Sequence, residues 1–219
     1  MNSALIQLLV LAGIAVFLVL RLRNVLGTRD GYEPPVERAR DAPVKKAHDF
    51  EVIEGGPDPD IADNVDPDSR AGKALAAMKR IEPEFSVTEF SGGSRQAYEM
   101  ILMAFEGDDL ETLKGFLSPD VYDSFEGVIT ERQSKGLKVS ANFIGVRELK
   151  VADAMFDEAN NEAEITMKFV GEITSCVKNA DGEVIEGDPA VIKCQKDVWT
   201  FARVMGSDDP NWELVATGE

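Results

Sequence analysis

The sequence has 219 residues, 44% of them apolar, which suits one globular domain of about 150 residues with accessory segments. The net charge is −17: residues 1–29 contain three arginines and no acid, which leaves 20 basic and 40 acidic side chains in residues 30–219. A body with a net charge of −20 repels phosphate backbones and anionic head groups, which argues against nucleic-acid binding and against attachment to a bilayer by charge.

The N-terminal region contains an apolar run with Ala4 and Leu20 at its ends, and Gln7 is its only polar side chain. Its 17 residues reach the lower end of the roughly 17–25 that cross a bilayer core. A cleaved signal peptide would have basic residues before the run and small residues at a cut site, and a buried core helix would have a polar face. We therefore expect an uncleaved transmembrane anchor within residues 1–26.

Three arginines follow the apolar run, namely Arg21, Arg23 and Arg29, whereas only the α-amino group precedes it. Basic residues concentrate on the cytoplasmic flank of a membrane helix. The body is therefore expected on the cytoplasmic side of a bacterial inner membrane, or on the matrix side in a mitochondrion.

Residues 27–67 are rich in acids, prolines and glycines and have no sustained periodicity. Low hydrophobicity with high charge does not offset the entropy cost of ordering, so we expect a disordered acidic linker. The run lacks the glycine and final glutamate of a calcium-binding EF-hand loop. The only histidine, His48, lies in this linker. Residues 68–219 are then the folded domain.

The first half of this domain has helical periodicity. A helix is predicted over residues 69–81, and Ser94 is predicted to cap a second helix that ends near Phe105. Asp108 or Asp109 would start a short third helix, and Ser118-Pro119 a fourth that stops at Gly136. The predicted inner faces are Leu75, Met78 and Ile81 for the first helix, Ala97, Met100, Ile101, Ala104 and Phe105 for the second, and Val121, Phe125, Val128 and Ile129 for the fourth.

The second half has strand periodicity, with predicted strands at residues 138–150, 163–177, 192–205 and 212–217. Over residues 163–173 apolar and polar side chains alternate, which indicates a half-buried antiparallel strand. For the second and third strands we predict a register in which the numbers of two facing residues add up to 370, because this places aromatic residues opposite each other. The pairs are then Cys176 with Cys194, Phe169 with Phe201, and Gly171 with Trp199. Helices followed by strands predict an α+β fold with helices on one face of a sheet.

Catalytic signals are weak. The sequence has no glycine-rich phosphate loop, residues 68–219 contain no histidine for a catalytic triad, and two cysteines are too few for a structural zinc site. We predict reduced structural thiols at Cys176 and Cys194. Asp197 is the one acid that stands out, in mid-strand two residues before Trp199, where a structural role is the commoner outcome. Trp199, Phe201 and Phe169 fit either a core or a peptide or lipid groove.

Four stretches occur in the same order as in a known protein family. They are AYEMILMAFEGDD (residues 97–109), LSPDVYDSFEGVI (residues 117–129), DVWTF (residues 197–201) and DPNWELVATG (residues 209–218). Together with the N-terminal run, they resemble the alphaproteobacterial TimA proteins, which are bacterial relatives of the mitochondrial Tim44-like domain. The resemblance covers the anchor and about residues 70–219. Gly92-Gly93 departs from it, because better helix formers are expected there.

The resemblance implies a cystatin-like or nuclear-transport-factor-two-like fold, in which helices cover one side of a curved antiparallel sheet. It also implies an adaptor without a cofactor, and not an enzyme. The mitochondrial relative scaffolds the inner-membrane import machinery and recruits a matrix heat-shock chaperone. Its long basic N-terminal region is not matched here, so lipid and chaperone contacts assigned to that region do not transfer.

The leading hypothesis is a membrane-anchored adaptor whose partners are translocase, insertase or chaperone components. The predicted docking groove lies between sheet and helices and is lined by Phe169, Asp197, Trp199, Phe201 and Trp212. Two alternatives remain open. One is a lipid or small-molecule binding domain or enzyme, with Asp197 at the floor of an enclosed cavity. The other is a ribosome receptor that contacts ribosomal proteins.

Overall fold

The computed structural model describes residues 57–218, which fold into helices followed by a sheet. The helices are α1 (Pro59–Ala62), α2 (Arg70–Ile81), α3 (Val87–Glu106), α4 (Leu110–Lys114) and α5 (Pro119–Ser134). The strands are β1 (Lys138–Asp157), β2 (Glu162–Lys178), β3 (Val184–Val204) and β4 (Glu213–Gly218). The predicted α+β order is confirmed.

The predicted anchor and its three arginines lie outside the described residues. Within residues 57–218, no helix is both long enough and apolar enough to cross a bilayer.

The four strands form one antiparallel sheet in the order β1-β2-β3-β4. On β2, the alternate residues from Ala163 to Ile173 are buried, and those between them are more accessible, as the alternation predicts. The buried side faces the helices, where Tyr98 and Ile101 of α3 join the same core. Helices therefore cover one face of the sheet, and apolar burial on that face stabilises the fold.

Two helix starts lie where Asp109 and Ser118-Pro119 predicted them, and the helix predicted from Ser69 begins one residue later, at Arg70. Ser69 Oγ accepts a hydrogen bond from Gly72 N at 3.0 Å, and Asp109 Oδ1 accepts one from Thr112 N at 3.0 Å. Pro119 occupies the first position of α5, and Ser118 precedes it at the cap position without a capping hydrogen bond from its side chain. These caps are local interactions, so they are readable from the sequence alone.

The predicted start of α3 at Ser94 is wrong. The helix begins at Val87 after Ser86, whose Oγ accepts from Glu89 N at 3.2 Å, and Ser94 lies in mid-helix. The helix continues through Gly92-Gly93, although each glycine costs about 1 kcal/mol relative to alanine. Tertiary contacts outweigh this cost, because Val87 and other residues of the first turns are buried in the core.

The predicted linker extends too far along the chain. Residues 59–62 form α1, and Ile61 is buried in the core. Asp60 accepts hydrogen bonds from Val87 N at 2.7 Å and Thr88 N at 2.9 Å, and it pairs with Lys79 at 2.7 Å. The acids of this segment therefore cap α3 and pair with a lysine, so the ordered domain includes residue 57 onwards.

Three residues predicted on inner helix faces are exposed. Ile81 is 44% exposed, Met100 43% and Val128 51%. Helical spacing locates an apolar stripe but not its width, which depends on how the neighbouring elements sit. Met100 therefore becomes a surface residue although it follows the core spacing.

Over residues 162–173, the pairing of β2 with β3 is shifted by four residues from the prediction, and beyond the bulge the shift is larger. Phe169 lies opposite Asp197, Met167 opposite Trp199, and Ile165 opposite Phe201; the two cysteines lie opposite Gly187 and Glu172. Within residues 162–173 the shift is even, so it keeps these side chains on their predicted face. The error arises because β3 begins at Val184, after a short turn, rather than at Ile192. Residues 189–192 then form a bulge opposite Thr174.

Candidate functional site

The aromatic residues predicted to line a docking groove are mostly core residues. Phe169, Trp199 and Phe201 are almost completely buried on the helix-facing side of the sheet. The ring of Tyr98 stacks on that of Phe169 with a centroid distance of 4.4 Å and lies 4.7 Å from that of Trp199. Trp199 and Phe201 also line the two surface depressions described below.

Asp197 is the acceptor of a buried hydrogen-bond network. Tyr98 Oη donates to Asp197 Oδ2 at 2.6 Å, and Gln195 Nε2 donates to Oδ1 at 3.1 Å. Burial, together with the adjacent carboxylate, raises the pKa of Tyr98 above its ordinary value of 10.0, which keeps the phenol protonated as a donor. Gly171 leaves room for this network, because a Cβ there would lie 2.6 Å from Tyr98 Oη.

A depression of about 320 Å³ with a mixed but mainly apolar lining lies between α3 and the segment leading into β4, and we call it the tryptophan groove. Gly93, Ala97 and Met100 share one face of α3 and form one wall. The opposite side includes Phe116 and Trp212. A Cβ at Gly93 would meet open space, so the helix backbone is accessible there.

Trp212 is held in the groove wall by packing and charge. Its ring centroid lies 4.7 Å from that of Phe90 and 6.0 Å from that of Phe85. The Arg203 guanidinium lies 5.2 Å from the Trp212 centroid, in cation–π geometry. Arg203 Nη2 pairs with Glu82 Oε2 at 2.6 Å, and this contact lowers the pKa of Glu82. The Trp212 side chain is thus held in place by contacts within the domain.

A second depression of about 260 Å³ lies between α3, α5 and β3, and we call it the carboxylate depression. Its lining includes Leu102, Phe105, Glu106, Phe125, Asp197 and Trp199. Burial raises the pKa of Glu106 although Arg132 is nearby. This depression therefore combines aromatic walls with two acidic side chains.

Among residues 57–218, no cluster of three or more histidine, cysteine, aspartate or glutamate side chains has the spacing of a metal site. Cys176 is buried, Cys194 is exposed, and both are free thiols.

Comparison with known proteins identifies the family. The family model for the Tim44-like domain matches residues 71–219. The chain belongs to the Tim44-like domain family. The mitochondrial import inner membrane translocase subunit TIM44-1 of Arabidopsis thaliana is 25% identical over 139 residues, which is 61% of this chain and 29% of that protein. The human subunit TIM44 is 23% identical over 146 residues, 65% of this chain and 32% of that protein.

The chain thus spans about a third of the length of the curated relatives it matches. Among solved structures, the intermembrane space region of the chloroplast protein ARC6 aligns with 66% of this chain and 94% of that chain, at 15% identity and a TM-score of 0.36. The resemblance inferred from the four sequence stretches is confirmed by the family match.

Three of those stretches contribute to the tryptophan groove of this Tim44-like domain. The first supplies Ala97 and Met100, the third Phe201, and the fourth Trp212. Phe85 and Phe90, which hold Trp212, were missed. The sequence does contain a signal for them, because Ser86 and Glu89 have the S-x-x-E spacing of a capping box and mark a helix start between the two phenylalanines.

Proposed function

We propose that this Tim44-like protein is a membrane-anchored adaptor that binds a protein partner in the tryptophan groove. It would hold that partner at the cytoplasmic face of a bacterial inner membrane, during protein translocation or the assembly of membrane complexes. Family membership and the role named for the mitochondrial relatives support a place in protein translocation. The groove is the observation that carries the proposal.

The groove suits the apolar face of a helical segment. Met100 is exposed beside Phe116 and Trp212, and Gly93 and Ala97 let another backbone approach α3 closely. Amphipathic helices bind in such grooves through apolar anchors spaced by three or four residues. A partner helix would cover apolar surface that otherwise faces water, which supplies the driving force for docking.

The N-terminal sequence supports attachment. Residues 4–20 would form the anchor, and Arg21, Arg23 and Arg29 would keep the domain on the cytoplasmic side. A tether between anchor and domain would raise the effective concentration of the groove near the bilayer, so that a modest intrinsic affinity suffices.

The test compares two exposed helix positions in the full chain. A photoreactive amino acid at position 100 should cross-link to subunits of a protein translocase or insertase in intact membranes, and the products are identified by mass spectrometry. The variant Met100→Asp should reduce co-purification of the same subunits at least tenfold. The control Val128→Asp places the same charge at a similarly exposed position on α5 and should leave co-purification unchanged.

If wild type and Met100→Asp co-purify equal amounts of these subunits, the tryptophan groove is not the docking site. Trp199→Ala is unsuitable for this experiment, because Trp199 is a core residue and its loss would destabilise the domain. The adaptor role itself would be rejected if position 100 cross-linked to no translocase or insertase subunit and if none of these subunits co-purified with the wild-type chain.

A second candidate function is binding of a small molecule or lipid in the carboxylate depression. Glu106 favours it, because a partly buried acid with a raised pKa between aromatic walls could receive a polar head group. Asp197 is a poor catalytic base in this arrangement, since both of its carboxylate oxygens accept hydrogen bonds. Native mass spectrometry of the gently solubilised chain tests this candidate; a bound species lost in Phe125→Asp supports it, and an unliganded mass contradicts it.

A further inference from the structure

One edge of the sheet is open. Strand β4 pairs with β3 only from Val198 to Ala202, so the outer edge of residues 184–196 has no neighbouring strand within residues 57–218. We call residues 184–196 the β3 arm. Residues 184–194 are all exposed. An uncovered strand edge presents backbone donors and acceptors and is a common place of association.

The arm also exposes large aliphatic side chains. Val184, Ile185, Val191 and Ile192 each have about half of their surface in contact with water (49–55%). Two of them lie near the tip of the hairpin, and two lie in the bulge at the middle of the arm. Several exposed aliphatic residues on one segment mark an interaction surface more often than single ones do.

The charge of the arm changes sign along its length. Around the tip, residues 181–188 contain Asp181, Glu183, Glu186 and Asp188 and no basic residue. At the base, residues 193–196 contain Lys193 and Lys196 and no acid. The apolar bulge of residues 189–192 lies between the two charged parts.

We propose that two copies of this chain associate through their β3 arms, side by side and antiparallel. This arrangement places the negatively charged tip of each arm against the positively charged residues 193–196 of the other arm. The bulges with Val191 and Ile192 then meet near the two-fold axis. A parallel arrangement would instead bring like charges together. The surface is therefore self-complementary, as a two-fold interface requires. This proposal does not depend on the tryptophan groove.

The bulge and Pro189 shape the contact. Proline lacks a backbone donor, and a bulge interrupts the regular ladder, so the arms do not form one continuous sheet across the two copies. Side-chain charge and apolar contact then carry the association. Exposed charge pairs are weakened by salt, so the association should weaken as ionic strength rises.

Charge reversal in the full chain tests the proposal. The base-reversed variant carries Lys193→Glu and Lys196→Glu, and the tip-reversed variant carries Glu183→Lys and Glu186→Lys. The base-reversed arm is acidic throughout, and the tip-reversed arm is mainly basic, with Asp181 and Asp188 remaining at its tip. Each variant therefore meets mostly like charge in a second copy of itself, so its self-association should weaken at least tenfold relative to wild type. A mixture of the two variants is again complementary and should form the heterodimer. Two affinity tags on detergent-solubilised chains, with sedimentation equilibrium, measure both outcomes.

The control carries Lys150→Glu on β1 and Lys168→Glu on β2. It changes the net charge by the same amount as the base-reversed variant. It should associate like wild type. Recovery in the mixture also shows that both variants fold. Three results would overturn the proposal: a monomeric wild-type chain, undiminished self-association of both reversed variants, or a mixture that fails to recover.

Disulfide trapping gives a second readout. Cys194 is exposed at the base of the arm, and Ile185→Cys adds a thiol near the tip. Antiparallel arms bring these positions of two copies together, so mild oxidation should yield a dimer linked between positions 185 and 194. The control Ile144→Cys, at a similarly exposed site on β1, should give at least tenfold less dimer linked through its introduced cysteine. Equal cross-linking of both variants would argue against the antiparallel contact.

Discussion

The helix-covered part of the sheet and the β3 arm have similar amino acids but opposite environments. On β2, alternate residues from Ala163 to Ile173 are buried beneath the helices. On β3, residues 184–194 are exposed, although four of them are valine or isoleucine. Strand pairing alone thus leaves apolar side chains in water. Burial requires a second layer, here supplied by α2 and α3, and the arm has no such cover among the described residues.

The largest expected effect contrasts the two regions directly. Trp199→Ala removes a large ring from the covered part and should lower the free energy of unfolding by about 3–5 kcal/mol. In the dilute, monomeric chain, Ile192→Ala in the arm should change it by less than about 0.5 kcal/mol, because that side chain is half exposed there. Urea denaturation of the purified chain measures both. If the two variants lost similar amounts of unfolding free energy, the arm would have to be covered in the native state.

A smaller effect sharpens the comparison at two strand glycines. Gly171→Ala places a methyl group against the Tyr98 hydroxyl and should cost about 1–3 kcal/mol of unfolding free energy. Gly145→Ala meets nothing within 4 Å and should be close to neutral. Thermal unfolding compares the two variants. An unfolding temperature of Gly171→Ala equal to that of wild type would show that the Tyr98–Asp197 contact can move without loss of stability.

The smallest effect concerns the layer that covers the sheet. Partial burial of Asp60 opposes its ionisation, but hydrogen bonds from Lys79, Thr88 and Val87 hold its pKa below the ordinary value of 3.8. Asp60→Ala removes this cap of α3 and should cost about 0.5–2 kcal/mol at pH 7. Hydrogen exchange should speed up at the start of α3 and stay unchanged in the β3 arm. The control Asp63→Ala should leave both unchanged.

The same variant predicts a pH dependence. A depressed pKa contributes stability that is present above the unfolded-state value near 3.8 and is lost as the pH falls toward the lower folded-state value. The difference in stability between wild type and Asp60→Ala should therefore be full above pH 5 and shrink below pH 4. Glu82, whose pKa Arg203 also lowers, is present in both chains and cancels in this difference. A difference that persists unchanged at low pH would contradict the assignment.

The sequence by itself determined the features that rest on local chemistry. Ser69, Asp109 and Pro119 mark helix starts through contacts within one turn, and the alternation along β2 identifies the residues of its buried face. The four family stretches also identified the Tim44-like domain. The pattern has period two, so it assigned Phe169, Trp199 and Phe201 to one face even though the predicted register was four residues off.

Only the tertiary structure decided which apolar residues remain accessible. Periodicity placed Met100 in the core and left Trp199 open between a core and a groove, whereas Met100 lines the tryptophan groove and Trp199 is buried. It also assigned Asp60 and Ile61 to a linker, although they cap α3 and join the core. The exposure of a side chain depends on how elements that are distant in the sequence end and pack against one another. A local sequence pattern does not contain this information. The Tyr98–Asp197 bond joins residues 99 positions apart, so it appears only once helix and sheet are packed together.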